Sequence, residues 1–247
     1  MKTYHIITFG CQANLADSER IARKLEISGY QKATKLESAN IVVINACSVR
    51  LSAVNRVYGL IKNLSKSKTK KSKLKIIVAG CVLKEDKKKL LAKDENIEFW
   101  HPDEYFDLTP VSSSANAAYI PIMTGCNNFC TYCAVPYTRG RERSRPAKDI
   151  IRDAKNAIKN KKTEIWLLGQ NVNSYKYGFP KLLKTINALA GDFKIYFMSS
   201  HPKDFSDNLI KAIAENKKVS REIHLRVQWG DNAILKKMNR KYTVSHY

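Results

Sequence analysis

Seven short apolar runs, alternating with stretches of helical periodicity, constrain this chain more than any other feature. They occupy residues 4–9, 41–44, 75–79, 118–123, 164–168, 194–198 and 222–227. Continuous runs rich in Ile and Val fit strands buried on both faces of a parallel sheet. Between the first three, Ile21, Ala22 and Leu25 mark one helical face, with Asp17 or Ser18 as its expected cap. Val54, Val57, Tyr58, Ile61 and Leu64 mark a second, and a third helix begins at residues 83–91. After residue 118, helices are expected over 146–160, 179–189, 206–216 and from 231 to 240, the first with Pro146 in its opening turn. The fold class is therefore α/β. An open, mostly parallel sheet comes first, followed by four βα units that read as a partial (β/α) barrel.

Residues 109–117 are small, polar and interrupted by Pro110, which reads as a linker. The expected boundary lies near residue 112, giving domains 1–111 and 112–247. A six-unit partial barrel needs two more βα units than this chain carries, so a truncated barrel is expected. No apolar run approaches a membrane span, and the first residues lack a signal peptide's apolar region and cleavage site. The expectation is a cytoplasmic protein with reduced cysteines. A net charge of +22 favours a polyanionic partner, most simply a nucleic acid. The lysine-rich stretch 65–73 reads as a solvated loop.

The cysteines fall into two sets. Cys126, Cys130 and Cys133 form a C-x3-C-x2-C run directly after an expected strand. Clustered thiols in a chain without secretory features point to a metal before a disulfide framework. A structural zinc site wants four protein ligands, so zinc requires a distant His or Cys. A cubane iron–sulfur cluster on three thiolates leaves one iron open to a substrate or cofactor. Cys11, Cys47 and Cys81 each follow one of the first three runs. The carboxyl edge of an open α/β sheet is where ligands bind, so three loops there can gather the thiols into a second metal site. Three inert buried thiols are the alternative.

The C-x3-C-x2-C spacing, with Tyr132 before the last cysteine, resembles the radical S-adenosylmethionine (SAM) enzymes. The likeness extends along the chain to the MiaB family of methylthiotransferases. It rests on Thr-Phe-Gly-Cys-Gln (8–12) with Asn14, Asn-Ala-Cys-Ser-Val-Arg (45–50), Ala-Gly-Cys-Val (79–82) and Gly-Cys-Asn-Asn-Phe-Cys-Thr-Tyr-Cys (125–133). Arg-Gly-Arg-Glu-Arg-Ser-Arg-Pro (139–146), Gly-Gln-Asn-Val-Asn-Ser-Tyr (169–175) and Ser-Ser-His-Pro-Lys-Asp-Phe (199–205) continue it.

The resemblance implies that Cys126, Cys130 and Cys133 hold a [4Fe-4S] cluster whose open iron is chelated by SAM. Cys11, Cys47 and Cys81 would hold a second [4Fe-4S] cluster that supplies or carries sulfur. The implied substrate is N6-isopentenyl-adenosine beside the anticodon of tRNA, and the product its 2-methylthio derivative. One SAM would methylate sulfur and another would yield the radical that abstracts hydrogen from C2 of the adenine. A flavodoxin- or ferredoxin-type electron donor and a monomeric state go with this. The family normally completes its barrel and adds an RNA-binding TRAM domain; the expectation here is a chain truncated before both, with impaired tRNA affinity. Sibling families act on ribosomal protein or on threonylcarbamoyl-adenosine in tRNA. A non-catalytic metal- and RNA-binding module is the remaining alternative.

Other residues carry weaker signals. Gln170 and Asn171 end a strand where the resemblance implies contact with the SAM amino group, or are simply polar loop residues. Tyr132 and Phe129 read either as packing for adenine or as ordinary core, the latter more for Phe129. Arg139, Arg141, Arg143 and Arg145 alternate, so in extended conformation they line one face. They read either as contacts to tRNA phosphate or SAM carboxylate, or as a solvated basic loop. His201 and His224 read as structural. The family's wording after His224 is altered here by Arg226 and Trp229, which add bulk near the expected SAM pocket, while Gln228 and Gly230 are kept.

Overall fold

A computed structural model describes residues 2–48, 51–68 and 74–247. Residues 49–50 of the motif at 45–50, and 69–73 of the lysine-rich stretch, lie outside the described residues. The chain forms two compact units. One comprises Met1–Val111 with Tyr137–Arg139, the other Ser112–Pro136 with Gly140–Tyr247.

The first unit is a parallel sheet with helices between its strands. In order come β1 (Thr3–Thr8), α1 (Gln12–Ile27), β2 (Gln31–Lys32), β3 (Ile41–Cys47), α2 (Leu51–Lys68), β4 (Lys75–Cys81), α3 (Lys84–Leu91) and β5 (Glu98–Trp100). The sheet order is β2-β1-β3-β4-β5, with every pairing parallel. The apolar runs of β3 and β4 serve both faces, as continuous burial requires. Val42, Ile44, Ile76 and Val78 pack with Val57, Ile61 and Leu64 of α2. Val43, Ile77 and Ala79 pack on the opposite side with Ile21 and Leu25 of α1.

Helix α1 starts earlier than expected. Its N-cap is Cys11, whose backbone N–H donates to Asn14 Oδ1 at 3.3 Å. The expected cap, Asp17, therefore lies inside the helix and is buried. The capping expectation fails because Gly10-Cys11 already turns the chain.

The second unit contains β6 (Ala117–Pro121), β7 (Met123–Thr124), β8 (Arg143–Ser144), α5 (Ala147–Lys159), β9 (Glu164–Leu168), α6 (Phe179–Asn187), β10 (Lys194–Phe197), α7 (Asp207–Glu215) and α8 (Asn232–Lys237), while the short α4 (Val135–Thr138) begins in the second unit and ends in the first unit's Tyr137–Arg139. Three of these strands form a parallel sheet in the order β10-β9-β6, while β7 and β8 pair as an antiparallel ribbon. Ile120, Ile165, Leu167, Ile195 and Phe197 share one core with Ile150, Leu183, Ile186 and Leu209 of the helices.

The strand expected over 222–227 is reduced to one parallel bridge, Leu225 to Ser200. Side chains that follow in sequence take its carbonyls instead. Arg226 O accepts from Arg240 at 2.9 Å, Leu225 O from Tyr247, and Val227 O from Tyr242. Backbone groups satisfied this way have no need of a sheet neighbour.

Candidate functional site

Topology gathers the first cysteine set. Cys47 and Cys81 end β3 and β4 and are direct partners across the ladder. Cys11 follows β1, which pairs with β3 up to Thr8 and Asn45. All three thus occupy the carboxyl edge of three adjacent strands, with Cys47 and Cys81 buried and Cys11 exposed. Two asparagines bind this edge together. Asn14 Nδ2 donates to Asn45 Oδ1 at 2.9 Å and to Ala46 O at 3.1 Å, and Asn45 Nδ2 donates back to Asn14 O at 2.7 Å. Gly80 has φ of +89°, and a Cβ there would collide with Asn45 Oδ1 and Ala46 O. Only glycine suits both the conformation and the space.

A buried ion pair backs this set. Arg139 donates from Nε to Cys81 Sγ at 2.9 Å and from a terminal nitrogen to Asp17 Oδ2 at 2.5 Å. Both charged side chains are less than a twentieth exposed. Burial pushes the Cys81 thiol up, opposed by the Arg139 charge and hydrogen bond. Burial alone would weaken the guanidinium's hold on its proton, but Asp17, Cys81 and Tyr105 push its pKa upward, so Arg139 stays charged.

The second set is local. Gly125, at φ of +75°, turns the chain into Cys126, and a Cβ there would strike the Arg141 backbone. Cys126 N–H donates to Gly140 O at 3.2 Å, and Cys133 N–H to Cys130 O at 2.9 Å. Burial is the main cause of the raised Cys126 and Cys133 thiols, and the neighbouring cysteines of the run add to it, so the three lie within electrostatic reach of one another.

The turn after α8 clamps this loop. Asn239 Nδ2 donates to Phe129 O at 2.9 Å and Asn128 O at 3.2 Å, while Met238 O accepts from Thr131 N–H at 3.2 Å. Arg240, also buried, reaches Cys130 Sγ at 3.5 Å and Tyr132 Oη at 3.3 Å. Among the described residues no three His, Cys, Asp or Glu side chains are gathered as around a single metal ion.

Strand ends of the second unit carry polar atoms without partners. Buried and unpaired are Thr124 Oγ1, Gln170 Oε1, Asn171 Oδ1, Asn173 Oδ1, Ser200 Oγ and His201 Nε2. Buried polar groups are normally satisfied, so these strand-end atoms are available to water or to a polar ligand. The His201 Nδ1 accepts from Lys203 N–H at 3.2 Å, which assigns its proton to Nε2. Burial, then Arg240, holds the His201 pKa down to about 4, so it is neutral at physiological pH. Glu142 accepts from Ser174 Oγ at 2.7 Å, and burial pushes its carboxyl up, with nearby Asp204 adding to the effect. Asn171 Nδ2 is tied to Asp204 at 2.6 Å.

The row of arginines does not form one basic face. Arg139 is buried on Asp17, and Arg145 is buried on Asp153 at 2.8 Å and on Pro121 O at 3.0 Å. Arg141 stacks over Phe129 at 4.3 Å. Burial beside carboxylates removes Arg139 and Arg145 from any phosphate. Arg226 and Trp229 are both exposed, and Tyr132 is half exposed. Sequence reasoning missed Asn239, Arg240, Glu142 and Asp204. Their partners lie far along the chain, and only the hydrophilic wording of the motifs hinted at the last two.

Residues 120–247, just over half of the chain, match the model of the radical SAM superfamily. The chain belongs to that superfamily. Membership brings SAM and a [4Fe-4S] cluster as cofactors. Residues 3–101 match "Uncharacterized protein family UPF0004". Two relatives are named tRNA-2-methylthio-N(6)-dimethylallyladenosine synthase. The one from Syntrophomonas wolfei is 42% identical over 280 residues, covering 99% of this chain and 63% of its own. The one from Alkaliphilus oremlandii is 44% identical over 283 residues, covering 100% and 60%. The chain thus spans about three fifths of the length of the curated relatives it matches. In fold, this radical SAM chain is like a radical SAM methyltransferase, TsrM, from Kitasatospora setae, solved with tryptophan and a SAM analogue. The TM-score is 0.65 at 11% identity, over 100% of this chain and 64% of that one. Among the described residues no helix is long and apolar enough to cross a membrane.

Proposed function

We propose that this chain is the cluster-bearing part of a tRNA methylthiotransferase that converts N6-isopentenyl-adenosine beside the anticodon to its 2-methylthio derivative. One observation carries the reading. Two cysteine triplets sit in two separate units, Cys11, Cys47 and Cys81 along a parallel-sheet edge and Cys126, Cys130 and Cys133 in a loop after a short strand. A radical SAM enzyme needs only one such triplet to cleave SAM, so the other is available for a second [4Fe-4S] cluster, as sulfur insertion requires.

When bound, SAM and its cluster supply the radical and methyl chemistry that an inert aromatic C–H bond demands. The chain's own residues bind and orient. The unpaired amide oxygens of Gln170 and Asn171 accept from an ammonium group such as that of SAM. Tyr132, half exposed beside Cys133, offers a ring face to adenine. Neutral His201 offers a donor at Nε2. The net charge of +22 supports binding of tRNA phosphates. The protein takes electrons from a flavodoxin or ferredoxin, acts as a monomer and works in the cytoplasm, where its thiols stay reduced.

The test is anaerobic incubation of reconstituted protein with SAM, a reductant and each of three substrates. These are tRNA bearing N6-isopentenyl-adenosine, tRNA bearing threonylcarbamoyl-adenosine, and ribosomal protein. Methylthiolation of the first, detected by nucleoside mass, is expected. Modification of either other substrate alone moves the protein to a sibling family. Failure to form 5′-deoxyadenosine at all leaves a non-catalytic module.

A further inference from the structure

The geometry points to Arg139, oriented by Asp17, as a positioning residue that fixes the Cys81 sulfur and tunes the reduction potential of whatever cluster Cys11, Cys47 and Cys81 hold. This rests on the reading above that those cysteines hold a cluster.

A guanidinium presents its N–H donors in a rigid planar fork. Here Nε points at Cys81 Sγ at 2.9 Å, and a terminal nitrogen points at Asp17 Oδ2 at 2.5 Å. Asp17 fixes the plane of the fork and so the direction of the bond to sulfur. It projects from α1, the helix capped by Cys11, and Cys81 ends β4. One ion pair thus links the elements that carry two of the three thiols. Both charges are buried, so neither serves solvent or a phosphate. A buried ion pair is weak evidence for stability, because apolar residues of the same volume commonly do as well. A donor aimed at a ligand sulfur has a further effect, since hydrogen bonds to cluster sulfurs and net charge both set reduction potential. The cation and its hydrogen bond stabilise the more negative, reduced state. Asp17 offsets part of that charge. Removing the two partners must therefore move the potential in opposite directions.

The experiment uses the full 247-residue chain with Cys126, Cys130 and Cys133 changed to Ala, so that only the first set can hold iron. After anaerobic reconstitution, iron, sulfide and midpoint potential are measured for this parent and for Arg139→Gln, Arg139→Lys and Asp17→Asn. The expected result is retained iron, a more negative potential in Arg139→Gln, partial return in Arg139→Lys and a more positive potential in Asp17→Asn. Unchanged potentials, or shifts in the same direction for Arg139→Gln and Asp17→Asn, overturn the inference. So does equal loss of iron from all three variants, which marks a purely structural role. If Arg139→Gln alone loses iron, the Lys and Asn variants decide it by the same signs. A folded parent without iron instead removes the second-cluster reading, and this inference with it.

Discussion

The two cysteine sets solve the same problem in opposite ways. Cys126, Cys130 and Cys133 lie within eight residues in a loop that begins at a glycine of positive φ and is held by Asn239 and Arg240. Cys11, Cys47 and Cys81 span seventy residues and meet only because three parallel strands end at one edge. The first arrangement is written into local spacing. The second is a product of topology. Each set nevertheless has one buried arginine directed at one sulfur, Arg139 on Cys81 and Arg240 on Cys130. The arginines differ in company. Arg139 is paired with a carboxylate, whereas Arg240 donates to the Arg226 carbonyl and the Tyr132 hydroxyl. A site gathered by topology depends on the stability of its whole sheet, and a looped site depends on its clamp.

The largest effect should come from breaking the carboxylate pairing. Asp17→Ala leaves Arg139 buried and uncompensated, which costs about 3–5 kcal/mol. Chemical denaturation should show the loss confined to the first unit if the two units unfold separately. Next come the glycines that precede a cysteine in each set. Gly80→Ala and Gly125→Ala force a side chain into positive φ against neighbouring atoms, at roughly 2–3 kcal/mol each. Iron analysis of both variants sharpens the contrast, because each should impair its own triplet and spare the other.

A third outcome concerns pH. His201 is held neutral with a folded pKa of about 4, against an ordinary value of 6.5. The unfolded chain binds the extra proton between those values. The neutral imidazole therefore contributes fully above about 6.5, and its stabilisation is lost as pH falls toward 4. The change is at most about 2 kcal/mol once partial solvent access is allowed for. Thermal melts of the second unit from pH 7 to pH 4 should show it, and His201→Gln should flatten that dependence. Burial sets it first, then the Arg240 charge, with Asp204 opposing and Lys203 adding to the depression, and the Tyr242 ring packs edge-on against His201.

The smallest effect is at the clamp. Asn239→Gly keeps the residue's positive φ of 54° and removes two hydrogen bonds to the cysteine loop. It should cost about 1–2 kcal/mol and speed loss of iron from Cys126, Cys130 and Cys133 while leaving the other set unaffected. Equal loss from both sets would break the contrast between local and topological assembly.

How much of this was visible in the residues follows the same division. The apolar runs that became β1, β3, β4, β6, β9 and β10 announced themselves by their Ile, Val and Leu content, most clearly in β3 and β4, which are buried on both faces. Strands β2 and β5 did not. They are two and three residues long, on sheet edges, with no buried side chain. Residues 222–227 look like a strand and are not one, because carbonyls there accept from Arg240, Tyr242 and Tyr247. The C-x3-C-x2-C run was legible as three thiols in one loop, and Cys11, Cys47 and Cys81 as a set on one sheet edge. Their arginines were not. Arg139 lies 122 residues from Asp17, and Arg240 lies 110 from Cys130. A charged residue in a sequence carries no mark of a partner that distant, so Asp17 read as a helix cap and Arg139 as part of a basic row.

The most direct test of two Cys-ligated clusters is iron and sulfide analysis of the full chain after anaerobic reconstitution, beside variants in which each triplet is changed to Ala. The account predicts about eight irons per chain, falling to about four when either triplet is removed. One cluster that survives loss of Cys11, Cys47 and Cys81, or zinc in place of iron, would contradict it.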